Sequence, residues 1–594
     1  MLKKESCIYA GSGVSQTPIF HISLKGDKMK KMYTLPQEDI LCREGQTRAF
    51  LRPYTKDWDN PESDSLHLEY SYNGKNWYSL NGNNGIWFPD YGSKHLTSPS
   101  VYRLKNGGYF ITAEDAKDPS HIYFAETKDF LSFTGAGYTG ADWDFKNEKE
   151  ISLFPDQENR LEVPVSLLET LFPVYGKPEP VLLTKTEAVS LKTETGKIPS
   201  LPEKIFVEYS NGGTEELPVE WETIPEGLLH TPGKYIIEGK LHQTLFEKPL
   251  IYHRADPHIY KHTDGKYYFT ASYTDMDHNL DGKYQYLYII LRRADTLAGL
   301  ADGSGAYEEK IVYERKPINN GTMSPHIWAP EIHYIHGSWY IYYTTTISDE
   351  SPWRIRPHCL ECRDQDPLTG KWEEKGPLVS SVEGDIAFTD FSLDHTYFNH
   401  RGKDYILWAQ KTNNISDIFI AQLSNPWTLC TPAIRLTHPE YNWELHGFPV
   451  DEGPGVIKHD GRIFITFSAS GTDAMYCVGL LYADEDADLL SSSSWTKLPY
   501  PVFQSSKETG QYGLGHNSFT KSDDDSQDLI IYHGRQEERY LVEEDYQPLY
   551  DAGRNASVGK IYWNKDGMPD FSVPAMGIVR REEKLKVKAE IIVE

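Results

Sequence analysis

The stretch HRADPHIYKHTDGKYYFTASY (residues 253–273) has the pattern of two β-strands joined by a two-residue turn. Asp264 and Gly265 form the turn, and alternating Tyr, Phe and Ile residues flank it, which is typical of a β-hairpin. Asp256 stands before a proline at the head of the first strand. An Asp-Pro pair on its own is typical of an ordinary turn, so this stretch alone gives Asp256 no further role.

The same hairpin pattern recurs along the chain. Its copies are HYIHGSWYIYYTTT (333–346), YFNHRGKDYILWAQ (397–410), VIKHDGRIFITFSAS (456–470) and a weaker KSDDDSQDLIIYHG (521–534). Successive turns lie 59 to 72 residues apart, with few helix-length segments between them. A four-stranded unit recurring at this period predicts a five-bladed β-propeller. A tandem of separate hairpin domains is the alternative, but units of this size seldom bury a core alone.

A related unit precedes the repeats. Residues 36–178 contain one more copy of the pattern and predict a partial, blade-like β-domain, which follows an N-terminal extension of residues 1–35. This copy carries Ser98 and Pro99 where the opening stretch carries Asp-Pro. Because this copy has no acidic residue at that position, the domain is not expected to contain a catalytic centre.

Residues 179–250 differ in character from both neighbours. The segments EAVSLKTETGKIPSLPEKIFVEYSNGGTEELPVEWE (187–222) and TPGKYIIEGKL (231–241) read as short strands between Gly/Pro turns. They resemble bacterial immunoglobulin-like domains and predict a small β-sandwich. The predicted fold class is therefore all-β, with the five-bladed propeller over residues 251–594.

Composition excludes several partners. The formal net charge is −27, which argues against nucleic acid and against anionic membrane surfaces, since both need clustered Lys and Arg. Six cysteines in 594 residues do not form a disulfide scaffold. The basic start of the chain is not followed by the apolar core of a secretory leader, and no run is long enough to span a membrane. The sequence therefore predicts a cytoplasmic location.

Three acids stand at the heads of the repeats: Asp256 in ADPHIY, Asp394 in SLDHTYF and Glu452 in DEGPGV. The innermost strands of a propeller line a central channel, so residues at one end of them converge on one pocket. Glycoside hydrolysis uses such acids, one as proton donor and one to activate water, while a third tunes the donor. The alternatives are solvated turn acids for Asp256 and Glu452, and a satisfied core group for Asp394.

Together with IWAPEIHYI, GLGHNSF and IYHGR, these motifs make residues 251 to about 580 resemble glycoside hydrolase family 43. The resemblance implies a five-bladed propeller that cleaves arabinose- and xylose-containing glycans with inversion. It implies that Asp256 is the general base, that Glu452 is the general acid, and that Asp394 modulates the pKa of the acid and holds it in place.

Five further residues are candidates for the pocket. Trp328 and Phe448 are candidate stacking walls for a sugar, with plain core packing as the alternative, and Glu331 is a candidate hydrogen-bonding residue. Arg535 matches an arginine that the family places against a sugar hydroxyl, with a surface ion pair as the alternative. His516 matches a histidine that often holds a hydrated calcium ion. A neutral, hydrogen-bonded histidine is the alternative, since calcium prefers oxygen donors. No cofactor is required for the predicted hydrolysis.

Within the family, IWAPEIHYI, SASGTDAMYCVGLL and DAGRNASVGKIYWNKDGMPDF most resemble the α-L-arabinofuranosidases. The expected function is exo-acting, inverting release of terminal α-L-arabinofuranosyl residues from small oligosaccharides. A β-xylosidase is the alternative, although the C-terminal sandwich of many such enzymes is missing. A non-catalytic glycan-binding propeller would be expected to lack one of the three acids. A retaining fructan hydrolase would carry a Trp-x-Asn lead before Asp-Pro. The sequence does not indicate an oligomeric state.

Overall fold

A computed structural model describes most of the chain after its first forty residues, and the N-terminal extension predicted for residues 1–35 lies outside the described part. The described residues are 42, 45–56, 65–81, 85–89, 91–175, 181, 183–241, 249–273, 275–280, 283–286, 288–314, 326–348, 351, 353–506, 509–541, 543, 546–572 and 586–594. Strands dominate and helices are few, so the predicted all-β class is confirmed. No described helix has the length and apolar character needed to cross a membrane.

The N-terminal region contains two antiparallel sheets. Its elements are β1 (Arg48–Tyr54), β2 (His67–Ser71), β3 (Tyr78–Ser79), β4 (Leu96–Leu104), β5 (Tyr109–Asp115), β6 (His121–Thr127), β7 (Thr134–Gly140), α1 (Phe145–Glu148), β8 (Ile151–Leu153), β9 (Leu161–Pro164) and α2 (Val165–Tyr175). The sheet orders are β3-β2-β1-β9 and β7-β6-β5-β4-β8. Leu51 of β1, Val101 of β4 and Leu168 of α2 share one buried core, so the two sheets and the helix pack as a unit.

The next sheet is built from β10 (Leu183–Thr186), β11 (Val189–Thr193), β12 (Lys204–Tyr209), β13 (Thr214–Trp221) and β14 (Gly233–Leu241), with a strand from the end of the chain, Lys586–Val593. The late strand lies between β14 and β11, antiparallel to the first and parallel to the second. The sequence assigned it to the repeat region, which is wrong. Its alternating apolar residues, Val587 to Val593, predict a strand with one buried face but do not say which sheet buries that face.

The repeat region forms five sheets. Their strands are β15 (Arg254–Lys261), β16 (Tyr267–Tyr273), β17 (Asp275–Leu280), β18 (Lys283–Gln285), β19 (Tyr288–Ala294), β20 (Tyr307–Glu314), β21 (Ile327–Ile335), β22 (Ser338–Thr346), β23 (Ile355–Cys362), β24 (Trp372–Pro377), β25 (Val379–Ser380), β26 (Ser392–His400), β27 (Lys403–Thr412), β28 (Ile415–Asn425), β29 (Thr428–Leu429), β30 (Ile434–Arg435), β31 (Asp451–His459), β32 (Arg462–Ala469), β33 (Cys477–Asp484), β34 (Thr496–Lys497), β35 (Tyr512–Lys521), β36 (Asp528–Arg535), β37 (Asn555–Lys560), β38 (Tyr562–Trp563) and β39 (Pro569–Asp570). Short 3-10 helices are Leu228–His230, Ala298–Leu300, Asn442–Glu444, Ser492–Ser494 and Pro548–Tyr550. The strand from the chain end is β40.

Each of the five sheets follows chain order from its first strand. The orders are β15-β16-β19-β20, β21-β22-β23-β24, β26-β27-β28-β29 with β30 also beside β28, β31-β32-β33-β34, and β35-β36-β37, while β17-β18 and β38-β39 are separate pairs. The short β25 departs from chain order, since it lies at the outer edge of the third sheet beside β29. The first strand of each sheet contacts the first strand of the next, and β15 also contacts β35. Ile251, just before β15, forms an antiparallel bridge with Ala556 of β37. The start of the region is therefore bonded to its last sheet.

A bulge interrupts the first strand of every one of these sheets at the same place. The residues with positive φ at the five bulges are Asp256 (53°), Ala329 (44°), Asp394 (54°), Gly453 (54°) and His516 (42°). Each lies within a shift of the ladder register. A bulge bends a strand and re-aims its side chains. The heads of the five strands are thus equivalent in structure as well as in sequence.

Candidate active site

Asp256 lies at the bulge of β15 and is 8% exposed. Its Oδ2 accepts a 2.5 Å hydrogen bond from the Ser272 hydroxyl. Its Oδ1 is 3.4 Å from Nη1 of Arg554 and 3.4 Å from Nδ1 of His516. Burial alone raises the pKa of Asp256, but His516 and Arg554 together hold it well below the usual range of an aspartate. This carboxyl group is therefore ionised at neutral pH.

Arg554 is the cation that accompanies this carboxylate. It is 3% exposed, and its Nη2 donates hydrogen bonds to the Tyr286 hydroxyl at 2.8 Å and to the Leu549 carbonyl at 3.0 Å. Burial opposes the charge on Arg554, but Tyr286 and Asp256 raise the pKa of the guanidinium above its usual value. A buried guanidinium needs an anion nearby, and the Asp256 carboxylate is that anion.

Glu452 lies on β31 directly before the Gly453 bulge and is partly exposed. Its Oε1 accepts a 2.7 Å hydrogen bond from the Tyr476 hydroxyl. Burial raises the pKa of Glu452 to about 7, and the negative charge of Asp256 adds to the rise, while the Tyr476 hydrogen bond opposes it. A glutamate with this pKa holds a proton near neutrality and can donate it.

Asp394 lies at the bulge of β26, 5% exposed, and its Oδ2 accepts a 3.1 Å hydrogen bond from the backbone N–H of Gly453. Burial, followed by the charges of Glu452 and Asp256, raises the pKa of Asp394 well above its usual value. Because Gly453 is the neighbour of Glu452, this bond fixes the backbone that carries the second acid.

His516, at the bulge of β35, joins the first and third acids. Its Nδ1 is 3.4 Å from Asp256 Oδ1 and 3.8 Å from Asp394 Oδ2, and its backbone N–H donates a 2.7 Å hydrogen bond to Ser468 Oγ. Burial lowers the pKa of His516 despite the charge of Asp256. The structure therefore brings the four predicted residues Asp256, Asp394, Glu452 and His516 into one network.

The surroundings of His516 offer few protein oxygen atoms to a calcium ion, so an ion there would take most of its ligands from water, as the resemblance implies. Calcium takes six to eight oxygen ligands. The nearest carboxylates, on Asp256 and Asp394, already accept hydrogen bonds from Ser272 and Gly453 and lie on the Nδ1 side of the ring. Among the described residues, the only His, Cys, Asp and Glu group close enough to hold a metal ion jointly is formed by other side chains and excludes His516.

Trp328 and Arg535 are both buried, and each has one hydrogen-bond donor without a partner among the described residues. Trp328 is 6% exposed, packs edge-on against Tyr286 at 6.1 Å, and its Nε1 has no hydrogen-bond partner among the described residues. Arg535 binds Asp551 Oδ2 at 2.6 Å and the Pro548 carbonyl at 3.0 Å, and its Nη1 has no described partner. The surface ion pair considered for Arg535 is wrong, because the side chain is 2% exposed.

Glu331 and Phe448 lie in contrasting places. Glu331 is 8% exposed and its Oε2 is 2.9 Å from Nε2 of His333. Phe448 is 54% exposed, in the loop before β31, where its backbone N–H bonds to the His446 carbonyl. Glu331 thus has protein partners, whereas Phe448 presents an open aromatic surface.

Sequence analysis missed several residues of this network. Arg554, Tyr476 and Ser272 contact the predicted acids directly, and Nδ1 of His533 accepts the backbone N–H of Asp256 at 3.1 Å. His533 stands in IYHGR, beside the arginine that sequence analysis selected, and Arg554 stands in DAGRNAS. None of these residues stands at the start of the first strand of a repeat, and that position was the reason for selecting the acids.

Comparison with known proteins agrees with this geometry. Residues 246–569 match the family model described as Glycosyl hydrolases family 43, and residues 186–244 match that of the Bacterial Ig-like domain (group 4). The chain is 44% identical over 332 residues to an extracellular exo-α-(1->5)-L-arabinofuranosidase of Streptomyces avermitilis, an alignment that covers 55% of this chain and 63% of the relative. A protein of the same name from Streptomyces chartreusis is 45% identical over 294 residues, covering 49% of this chain and 83% of the relative.

A solved structure, that of α-L-arabinofuranosidase from Lactobacillus brevis, is 41% identical, with a TM-score of 0.50, and covers 56% of this chain and 98% of that chain. This chain spans less than two thirds of the length of the Streptomyces avermitilis relative. Both Streptomyces relatives are named extracellular, which contradicts the predicted cytoplasmic location. That prediction rested on reading no secretory leader in the first residues of the sequence.

Proposed function

The chain belongs to glycosyl hydrolase family 43, and from this premise we propose that it is an exo-acting α-L-arabinofuranosidase. Its substrates would be small oligosaccharides that end in α-L-arabinofuranosyl residues. The names of the Streptomyces and Lactobacillus relatives support the choice of sugar. The observation that carries the proposal is the pair Asp256 and Glu452, two carboxyl groups in one network with pKa values moved in opposite directions.

The scaffold we propose is a five-bladed β-propeller made of the five sheets. Support comes from the contacts of each first strand with the next, including β35 with β15, and from the bridge between Ile251 and Ala556. This arrangement places the five bulges around one axis. A blade-like β-domain over residues 36–178 and an immunoglobulin-like domain over residues 179–250, completed by β40, precede it in the proposed organisation.

In the proposed mechanism Asp256 is the general base. Its carboxylate is ionised and takes a proton from a water molecule, which attacks the anomeric carbon. Arg554 and His516 keep this carboxylate ionised in a buried site. Direct attack by water gives one displacement and therefore inverts the anomeric configuration.

Glu452 is the proposed general acid. Its proton passes to the glycosidic oxygen as the bond to the leaving sugar breaks, and the carboxylate that remains is stabilised by the Tyr476 hydroxyl. Asp394 positions Glu452 through the Gly453 N–H, and burial together with the charge of Glu452 disfavours ionisation of Asp394. The pair therefore keeps a proton available at neutral pH.

Two unpartnered donors and one exposed ring are proposed to hold the sugar. Nε1 of Trp328 and Nη1 of Arg535 can each donate to a sugar hydroxyl without breaking a bond to protein. A buried donor without a partner is costly, which a hydroxyl would relieve. Phe448 is proposed to stack on an apolar sugar face at the mouth of the site.

The proposal is tested with purified protein, its Glu452→Gln variant, and Glu383→Gln as a matched exposed control. On α-1,5-linked arabino-oligosaccharides, Glu452→Gln is expected to lower kcat by about 10²- to 10⁴-fold. On 4-nitrophenyl α-L-arabinofuranoside the loss should be smaller, since nitrophenolate leaves without protonation. Glu383→Gln should match wild type.

Three readouts decide the outcome. Equal activity of wild type and Glu452→Gln on the oligosaccharides would refute the assigned acid. A higher kcat/KM on 4-nitrophenyl β-D-xyloside than on the arabinofuranoside would favour the β-xylosidase alternative. Proton NMR of the first sugar released distinguishes inversion from retention, and the retained anomer would contradict the single displacement.

A further inference from the structure

Three buried side chains with metal-binding groups lie together in the repeat region, apart from the acids assigned to hydrolysis. His258 is on β15, two residues beyond Asp256, and Glu331 and His333 are on β21 of the next sheet. Each is 6 to 8% exposed. Glu331 and His333, two positions apart on one strand, face the same side of their sheet. One donor atom from each of the three lies within 4.8 Å of the others.

His258 lacks the hydrogen bonds that a buried imidazole normally has. Its Nδ1 has no partner among the described residues. Its Nε2 is 3.9 Å from Oε2 of Glu331, beyond hydrogen-bond distance. A buried polar group without a partner costs free energy, and neither ring nitrogen of His258 has a described hydrogen bond to Glu331. The gap between Nε2 and the carboxylate is wide enough for a ligand atom that both would contact.

The spacing of the donor atoms suits a small cation. Nε2 of His333 is 2.9 Å from Oε2 of Glu331, and Nε2 of His258 is 3.9 Å from the same oxygen. Ligand atoms about 2.0 to 2.1 Å from a tetrahedral ion lie roughly 3.3 Å apart. The two separations from Glu331 bracket that value, and the third, between the two histidines, is no more than 4.8 Å. The three donors would move closer together on binding an ion.

We propose that His258, Glu331 and His333 form a binding site for one divalent transition-metal ion, of which zinc is the representative. Two imidazole nitrogens and one carboxylate oxygen are the donors that zinc, cobalt and nickel accept, whereas calcium and magnesium select oxygen. The site therefore differs in its donor residues and in ion class from the calcium site implied for His516. The bound ion joins β15 to β21 and takes no part in the hydrolysis.

The electrostatic environment agrees with this assignment. Burial lowers the pKa of His258 to about 4 and that of His333 to about 3, so both rings are neutral at pH 7 and have lone pairs to offer. Burial also raises the pKa of Glu331 above its usual value. A dication beside Glu331 would favour its ionised form and supply the charge that the buried carboxylate lacks.

The test uses the full chain, stripped of metal with a chelator and titrated with Co²⁺ and with Zn²⁺. Wild type is expected to bind one ion per chain, with visible absorption bands from Co²⁺ that Zn²⁺ abolishes. Calorimetry should show tight Zn²⁺ binding and no competition from Ca²⁺. His333→Gln and Glu331→Gln should each weaken Zn²⁺ binding by roughly tenfold or more.

The control is His336→Gln, which removes a histidine from the adjoining turn whose side chain is 67% exposed. It should bind like wild type. Circular dichroism of each metal-free variant checks folding, and His258→Gln replaces any variant that fails this check. Absence of stoichiometric binding, preference for Ca²⁺, or wild-type affinity in the site variants would overturn the proposal. The last outcome would assign the binding to others of the 21 histidines.

Discussion

Asp256 and Glu452 show how neighbouring side chains give two acids different protonation states. Asp256 is next to Arg554 and His516, which stabilise its charge. For Glu452, burial and then the negative charge of Asp256 raise the pKa, and the hydrogen bond from the Tyr476 hydroxyl only partly opposes them. The same residue class therefore supplies a base and an acid at one pH, as the proposed hydrolysis requires.

Tyr476→Phe tests this balance through the pH profile. The Tyr476 hydroxyl bonds to Glu452 and favours the ionised form, so removing it raises the pKa of Glu452 from its value of about 7. The acid must be protonated to act, so the alkaline limb of kcat/KM should move to higher pH. A shift of about one unit is expected, equivalent to ~1.4 kcal/mol.

The matched control is Tyr342→Phe, which removes another buried hydroxyl, bonded to the Pro426 carbonyl. Its alkaline limb should coincide with that of wild type. An unchanged or lowered limb in Tyr476→Phe would show that Glu452 is not the group titrating there. On the acid side both enzymes should keep the base ionised, because the pKa of Asp256 is well below its usual range.

The repeated hairpin pattern made the three acids predictable from the sequence, but it did not predict the residues that contact them. Asp256, Asp394 and Glu452 were predicted from similar positions in the repeats, and the structure brings them together. Asp256 and Asp394 occupy equivalent bulge positions, whereas Glu452 lies one residue before the equivalent position, Gly453, so the predicted equivalence of Glu452 is wrong by one residue. Their catalytic roles remain predictions. Arg554 and Tyr476 reach the acids from other strands and loops, so their placement depends on packing between sheets, which no local pattern encodes.

At the scale of the strand, the repeated bulge is the device that builds the site. Non-glycine residues with positive φ are strained, yet four of the five bulges hold one. The surrounding ladder and the hydrogen bonds of Asp256, Asp394 and His516 hold that conformation. The regular pairing of the rest of each sheet therefore stabilises the strained backbone conformation at these positions.

Gly453→Ala and Gly461→Ala form a matched pair that separates strain from catalysis. Gly453 has a φ of 54°, and a Cβ there would lie 3.1 Å from the His516 ring and beside Glu452. Gly461, in a hairpin turn of the same sheet, has a φ of 74° with open space around it. Each substitution should lower the free energy of unfolding by about 1–2 kcal/mol, because alanine disfavours this conformation.

The expected difference between the two variants lies in activity. Gly453→Ala should lower kcat by roughly tenfold or more, since a shift near 1 Å at a catalytic group has a large effect. Gly461→Ala should keep wild-type kcat after correction for the folded fraction. Chemical denaturation and initial-rate assays measure the two quantities. Equal loss of activity in both variants would mean that the bulge has no special part in positioning Glu452.

The hairpins were predictable from sequence because their turns carry local signals, whereas the bulges depend on pairing across the ladder. Gly265 and Gly337 have the positive φ that such turns demand. The bulges had a weaker signal. Proline follows the positive-φ residue at Asp256, Ala329 and Gly453, and proline within a strand often marks an interrupted ladder.

At the scale of the whole molecule, the chain end joins the sheet that precedes the repeats. Ala589 and Ile591 of β40 are fully buried between β14 and β11, whose paired residues lie about 350 and 400 positions earlier in the chain. Local sequence patterns do not indicate pairing between strands that are far apart in the chain. For this reason the fold class of each region was predictable, but the assignment of β40 to the sheet before the repeats was not. The immunoglobulin-like sheet therefore folds completely only after the repeat region has been synthesised.

Lys560 of β37 contributes polar contacts between the immunoglobulin-like sheet and the last sheet of the repeats, beside the ring contact of Tyr209 with Tyr562. Its ammonium donates to Glu215 Oε1 at 2.6 Å and to the Tyr209 hydroxyl at 3.0 Å, and its side chain is 8% exposed. Lys560→Met should lower stability by about 1–3 kcal/mol, because it leaves the partly buried Glu215 unpaired. Lys185→Met, which breaks the exposed Lys185–Glu208 pair of the same sheet, should cost about 0.5 kcal/mol or less. Calorimetry should show an earlier, separate transition for Lys560→Met, with the proposed hydrolytic activity unchanged below it. Equal melting of the two variants would show that this ion pair does not hold the sheets together.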